Sequence, residues 1–329
     1  MTMYPKNATE MFMLTIPDAE RLSTGLNISD HYQFSKRLSF IYGTQLNGER
    51  SSIFSEEGRQ TLSGMYQGDL TNTGMLYNVF LNPEYEINSS WSLNAHIACA
   101  MRVPTLKELY SFYIFVPLDN YDYIGNPDLK TEKSWNASLG GNFKKGIFEV
   151  SLQAYSYFFR NYIAGIREEK YSAMTSGADG VKQYGNLSSA VLYGIESAIS
   201  LRPFSGCLIS SRNTFEQGRD GMDRALPRIP PFKSVNEIRY RYQKYHFSLE
   251  GIFAAAQRHV NTGSYGETAS PAFGILNVKA GKAFLLGASS LSVNIAVENL
   301  LDNNYYEHLD LMKVPRPGRN FLLHLTLLF

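Results

Sequence analysis

Apolar and polar residues alternate with a period of two along most of this chain. In the run Trp91 to Met101, the odd positions Trp91, Leu93, Ala95, Ile97, Cys99 and Met101 are apolar, while the even positions carry Ser92, Asn94 and His96. Successive side chains of a strand point to opposite faces, so the pattern predicts a strand with one apolar and one polar side. Leu22 to Ile28, Trp135 to Phe143, Phe148 to Ala154, Tyr245 to Gly251 and Leu291 to Val297 repeat it. Asn27, Asn136, Asn142, Glu149, Gln153, His246, Glu250, Ser292 and Asn294 fall on their polar sides. Helical periodicity is scarce, and the chain reads as all-β.

A soluble sandwich and a transmembrane barrel both alternate in this way, so strand length and turn spacing have to separate them. Several runs reach about 9–11 residues, enough to cross a bilayer at a tilt, whereas strands of soluble domains are commonly about 5–6. The predicted connections are short at Asp30 to Lys36, Ile87 to Ser90, Lys144 to Gly146, Pro203 to Gly206, Gln243 to Lys244 and Leu286 to Ser290. They are long at Asn47 to Gly74, Arg102 to Lys133, Arg167 to Gly180, Gln217 to Phe232, Arg258 to Pro271 and Asp302 to Arg319. Short turns on one side and long loops on the other organise outer-membrane barrels. A propeller would repeat every 40–45 residues or so with shorter strands, and the sequence carries no such repeat.

The last segment, Phe321 to Phe329, sets Phe321, Leu323, Leu325, Leu327 and the terminal Phe329 on one face. An amphipathic strand ending on an aromatic residue resembles the assembly signal of bacterial outer-membrane proteins, and it implies the barrel-assembly machinery as a partner.

Composition narrows the function. The 31 basic and 30 acidic side chains of the 329 residues leave a net charge of +1, which argues against nucleic-acid binding by bulk charge. Charged residues are only 19% of the chain and aromatic residues 13%, a surface poor in charge and rich in rings. Cys99 and Cys207 form no CxxC pair and suggest neither a disulfide framework nor a cysteine zinc site. A transmembrane helix would need roughly 18 consecutive apolar residues, a run the sequence does not contain. The first residues carry no secretory signal pattern.

Arg102-Val-Pro-Thr-Leu-Lys-Glu-Leu-Tyr110 after one strand, with Gly125-Asn-Pro-Asp-Leu-Lys-Thr-Glu-Lys-Ser134 leading into the next, resembles the central signature of TonB-dependent outer-membrane receptors. Leu226-Pro-Arg-Ile-Pro-Pro231, Glu298 to His308, and Pro317-Gly-Arg-Asn320 are similar to later segments of the same family, in the same order. Thr131 stands where the family usually has Pro. The resemblance implies a barrel of about 22 strands, of which this sequence supplies about 12–14. It also implies a plug domain that fills the barrel and a short N-terminal box that contacts TonB. Nothing before Glu20 resembles either one, so residues 1–329 are expected to be the C-terminal barrel portion of a receptor from a truncated or split reading frame. Outer-membrane lipid and a small-molecule or metal-chelate ligand would be its partners. TonB would act through the missing N-terminal segment.

A GxSxG elbow, an HExxH helix, a Walker loop and a GxGxxG turn are absent from the sequence, so neither an enzyme nor a cofactor is expected. His96, His246 and His324 lie on polar strand faces, as solvated lumen residues would. The Tyr110 to Tyr123 loop crowds Tyr110, Tyr113, Phe115, Tyr121 and Tyr123 around Asp119 and Asp122. That composition suits stacking on a chelate and attracting a cationic centre; the same rings would equally suit an interfacial girdle. His259 with Glu267, and His308 with Glu307 and Asp310, are possible ligand pairs without a fixed third donor. The expected function is uptake of an iron-siderophore, transition metal or cobalamin across the outer membrane of a Gram-negative bacterium. The alternative is a passive or structural outer-membrane barrel without energy coupling.

If the C-terminal strand is an assembly signal, Phe329→Ala should reduce heat-modifiable, folded barrel far more than Thr326→Ala on the polar face. Equal yields from the two variants would rule that role out.

Overall fold

In the computed structural model, which describes residues 15–287 and 289–329, the alternating runs form one antiparallel meander. The expectations for the first fourteen residues lie outside the described residues. Among the described residues the first elements are β1 (Ala19–Gln33) and β2 (Leu38–Ile53), followed by a short helix, α1 (Glu56–Ser63). Next come β3 (Asn72–Asn88), β4 (Trp91–Arg102), α2 (Leu106–Tyr110), and a small hairpin of β5 (Ile114–Val116) and β6 (Tyr121–Ile124). The long strands β7 (Glu132–Lys145), β8 (Phe148–Arg167), β9 (Val181–Leu201) and β10 (Cys207–Asp220) lead to β11 (Lys233–Tyr242) and β12 (Tyr245–Ala254). After α3 (Thr262–Tyr265), the sheet is completed by β13 (Phe273–Leu286), β14 (Ser289–Glu298) and β15 (Asn320–Leu328).

Each barrel strand pairs with its neighbour in sequence, in the order β1-β2-β3-β4-β7-β8-β9-β10-β11-β12-β13-β14-β15. That path holds thirteen strands, within the range read from the sequence. The hairpin β5-β6 stands off it and joins the sheet through a parallel pairing of β6 with the start of β9. All six short connections and all six long loops fall where the sequence puts them. Several strands run further than their periodic cores: β1 continues to Gln33, leaving only 34–37 for the first turn.

Register turns the alternation into two continuous faces. Cys99, Trp135, Phe158 and Val191 are successive Cα partners across β4, β7, β8 and β9. One step further along, Ile97, Ala137, Ser156 and Tyr193 repeat the row. This face is exposed and apolar: Leu26 is 61%, Leu139 63% and Leu323 65% accessible. In water such a surface would be unfavourable by about 25 cal/mol for every Å² it leaves exposed; hydrocarbon removes that penalty. The opposite face carries hydrogen-bonded polar pairs such as His96 Nδ1 with Asn82 Oδ1 at 2.6 Å and Asn277 Nδ2 to Glu250 Oε1 at 2.9 Å. Together they give a transmembrane antiparallel β-barrel portion with a polar lumen face.

The buried hydrophobic residues gather at the long-loop end. One cluster joins Ile53, Leu62, Leu109, Tyr110, Leu129 and Ile163; a second joins Ala164, Leu187, Ala190, Leu226, Ile229 and Tyr265. Strands β8 and β9, at 20 and 21 residues, outrun the roughly 9–11 residues that a bilayer needs. Their outer ends rise beyond it, and the loops pack against them there.

Cysteines at Met222 in the 221–232 loop and at Lys145 beside the 146–147 turn report sidedness. An impermeant thiol reagent on whole cells should label Met222→Cys only; labelling confined to Lys145→Cys would invert the topology.

Candidate functional site at the long-loop end

The segment from Arg102 to Ser134 holds itself in place before it offers anything to a ligand. Thr105 caps α2 by accepting from the Glu108 N–H at 3.2 Å, and the Glu108 carboxylate accepts the Thr105 N–H at 2.7 Å. Glu108 also meets Arg102 at 2.8 Å, and Arg102 reaches Glu132 at 3.3 Å. Glu132 in turn accepts the Ile163 N–H of β8 at 2.8 Å. Leu109 and Tyr110 are fully buried, and the Tyr110 hydroxyl lies 3.0 Å from the Ser51 carbonyl and 2.7 Å from that of Leu70. Gly125 comes so close to Leu109 that a Cβ there would sit 2.5 Å from its carbonyl oxygen, which explains the glycine. Asn126 then donates to the Tyr184 carbonyl at 3.2 Å and accepts the Asp128 N–H at 3.0 Å. Burial pushes the Tyr110 phenol up to about 12, so it remains a neutral strut.

Past this staple, a chain of charged groups links the loops. Asp119 Oδ2 accepts from Tyr123 at 2.6 Å, from Lys182 Nζ at 2.7 Å and from Arg228 Nη2 at 3.3 Å. The Arg228 backbone N–H donates to Glu267 Oε1 at 2.7 Å, and the same oxygen lies 3.1 Å from His308 Nε2. The other ring nitrogen of His308 meets Ser270 at 3.0 Å. Lys182 is buried, with its ammonium 4.2 Å from the centre of the Tyr121 ring. Arg228 adopts φ +65°, a left-handed conformation unfavourable for a side chain of its size. Leu226 and Ile229, buried on either side, hold it there. Burial, reinforced by Asp119, drives the Tyr123 phenol well above its ordinary value. Burial opposes the charge on Arg228, yet Tyr123 and Asp119 hold its pKa above the usual guanidinium value.

These groups divide two cavities. The outer one, about 230 Å³, is lined from five long loops, by residues that include Asp119, Asp179, Arg228, Glu267, His308 and Lys313. The inner one, about 410 Å³, lies against the long-loop ends of β8 and β9, with Tyr123, Tyr162, Lys182, Tyr184 and Glu216 among its lining. Asp119, Arg228 and Glu267 belong to both. Asp119 Oδ1 is buried without a hydrogen-bond partner among the described residues.

The structure places the six candidates of the Tyr110 to Tyr123 loop differently. Asp119 lines both cavities and Tyr123 the inner one. Tyr121 is buried beneath Lys182. Tyr113 is half-buried and packs edge-on against Phe112, with ring centres 5.1 Å apart. Tyr110 and Asp122 line neither cavity. Asp122, fully buried, accepts the Met174 and Thr175 N–H groups at 2.7 and 2.8 Å and the Thr175 hydroxyl at 2.6 Å. Among the histidines, Glu267 partners His308 rather than His259. Glu307 and Asp310 are taken by Lys233 and Arg316. The described residues contain no group of three or more His, Cys, Asp or Glu able to hold a metal. Sequence reasoning missed Arg228 and Lys182 as site residues. A charged residue bracketed by prolines in Leu226 to Pro231 was a usable signal for the first, and the start of β9 offered none for the second.

Comparison with known proteins follows the architecture. The profile of the family described as "TonB dependent receptor-like, beta-barrel" matches residues 4–300. No curated protein matches the chain. Among solved structures, the copper transporter OprC aligns with a TM-score of 0.78 at 20% identity, over 94% of this chain and 48% of that one. The FrpB iron transporter from Neisseria meningitidis aligns at 0.66 with 16% identity, over 93% and 45%. The siderophore receptor PirA from Acinetobacter baumannii aligns at 0.62 with 14% identity, over 94% and 55%. The chain therefore spans about half the length of these structures, and at such identities the likeness is one of fold.

Replacing Asp122 by Ala removes the shared acceptor of three part-buried donors, at a cost of about 1 kcal/mol for each hydrogen bond lost. Limited proteolysis should then cut within 168–180 while the heat-modifiable barrel persists. Cleavage at the wild-type rate would remove Asp122 as the strut of that loop.

Proposed function

Because the chain belongs to the TonB-dependent receptor-like β-barrel family, we propose that it is the barrel portion of an outer-membrane uptake receptor whose long loops capture the ligand. The parent protein sits in the outer membrane of a Gram-negative bacterium, and TonB supplies energy through a segment N-terminal to this barrel. An iron-siderophore, a transition metal or cobalamin is the ligand class. One observation carries the reading: five loops converge on two cavities joined by Asp119, Arg228 and Glu267. A passive barrel has no need of such convergence, whereas a capture site does. The Tyr110 to Tyr123 loop contributes through Asp119 and Tyr123. Asp119 contributes its carboxylate to the walls of both cavities, and Tyr123 presents its ring, 5.1 Å from that of Tyr184, to the inner cavity. Tyr121 supports them from beneath.

The test uses the receptor carrying its N-terminal portion, titrated with ferric chelates, free divalent metals and cobalamin. Asp119→Asn combined with Arg228→Gln should weaken binding of the true ligand about tenfold or more, equivalent to 1.4 kcal/mol or more. Arg202→Gln, at the short-turn end, should leave affinity unchanged. Unchanged affinity in the double variant, with the barrel intact, would move the site away from this charged chain.

A further inference from the structure

A second feature faces outward, away from the cavities. Lys133 of β7 and Arg160 of β8 are Cα partners, one row beyond Trp135 and Phe158 on the apolar face. Like charges directly opposite each other on neighbouring strands repel. Neither side chain has a carboxylate or hydrogen-bond partner among the described residues. Glu132, adjacent in sequence, lies on the other face and is held by Arg102 at 3.3 Å. Aromatic rings position the two cations instead: the Lys133 ammonium is 6.0 Å from the centre of Tyr77, and the Arg160 guanidinium 5.8 Å from that of Trp135. Tyr and Trp gather where a membrane protein leaves hydrocarbon for headgroups. The pair therefore stands at headgroup height on the long-loop side.

We propose that Lys133 and Arg160 form a binding site for the phosphate group of an anionic lipid in the leaflet on the long-loop side. A phosphate between them removes their repulsion and accepts hydrogen bonds from both, the guanidinium offering paired donors. A lipid fits better than free phosphate because the site has no enclosing walls. It is the upper edge of an apolar surface on which Ala137, Leu139 and Ala154 receive acyl chains. The inference rests on the membrane-spanning reading of the barrel and is independent of any ligand in the cavities.

The chain contains only two tryptophans, Trp91 and Trp135, at opposite ends of the apolar band, which makes the test direct. The full chain carrying Trp91→Phe is inserted into vesicles containing brominated-chain phosphatidylglycerol or brominated-chain phosphatidylcholine, and quenching of Trp135 is compared. The anionic lipid should quench at about a fivefold lower mole fraction, the effect of roughly one favourable surface cation. Adding Lys133→Gln and Arg160→Gln should abolish the preference, and Trp91 in a Trp135→Phe chain should show none. Equal quenching of Trp135 by the two lipids would overturn the lipid site while leaving the barrel in its membrane. Loss of the preference on adding millimolar inorganic phosphate would make this an ion site and overturn the lipid assignment. Quenching by neither lipid would remove the membrane-spanning reading and the site with it.

Discussion

Each peptide group of a strand in hydrocarbon has to find its hydrogen-bond partner on an adjacent strand, because lipid offers none. The rest of the structure follows from that requirement. It dictates nearest-neighbour pairing all along the meander, and pairing fixes register. Because side chains alternate with period two, a slip of one residue would turn Trp135, Leu139 and their row into the lumen and His96 and Glu250 into lipid. The apolar row through Cys99, Trp135, Phe158 and Val191 is thus a consequence of the backbone ladder as much as of side-chain chemistry.

The same constraint explains where the buried core lies. A single sheet with lipid on one side and a polar lumen on the other has little interior of its own, so burial concentrates where strands outrun the bilayer and loops fold back on them. Leu62, Leu109, Tyr110 and Ile163 come together there from three separate elements, α1, α2 and β8. Segments that resemble the family signature serve this packing. Arg102, Glu108 and Glu132 tie the start of the loop to its return, Asn126 ties it to β9, and Asn299 ties the last loop to β13 by donating its backbone N–H to Asn277 Oδ1 at 2.9 Å.

The sheet was legible in the sequence because its information is local: alternation names the faces, and Gly, Pro and Asn mark the turns. The twelve connections and the strand count follow from those signals. The site was only partly legible. Aromatic and acidic crowding pointed to the Tyr110 to Tyr123 loop, but composition does not distinguish Asp119, which reaches the cavities, from Asp122, which is buried against Thr175. Spacing suggested His259 for Glu267, while the folded loops bring His308 to it. Such pairs are set by which loops meet in space, and neither periodicity nor short spacing records that. The parallel pairing of β6 with β9 is likewise invisible to any local pattern.

That division between near and distant contacts has a kinetic side. The meander pairs only strands that follow one another along the barrel path, across a short turn or a single loop. The mouth depends on partners far apart along the chain: Arg228 and Asp119 are 109 residues apart, and Gln183 and Tyr66 are 117 apart. Contacts of high sequence separation carry the larger loop-closure entropy and form slowly. Wall and mouth are therefore built on different clocks, with the sheet able to be threaded into the membrane before the charged chain above it has closed.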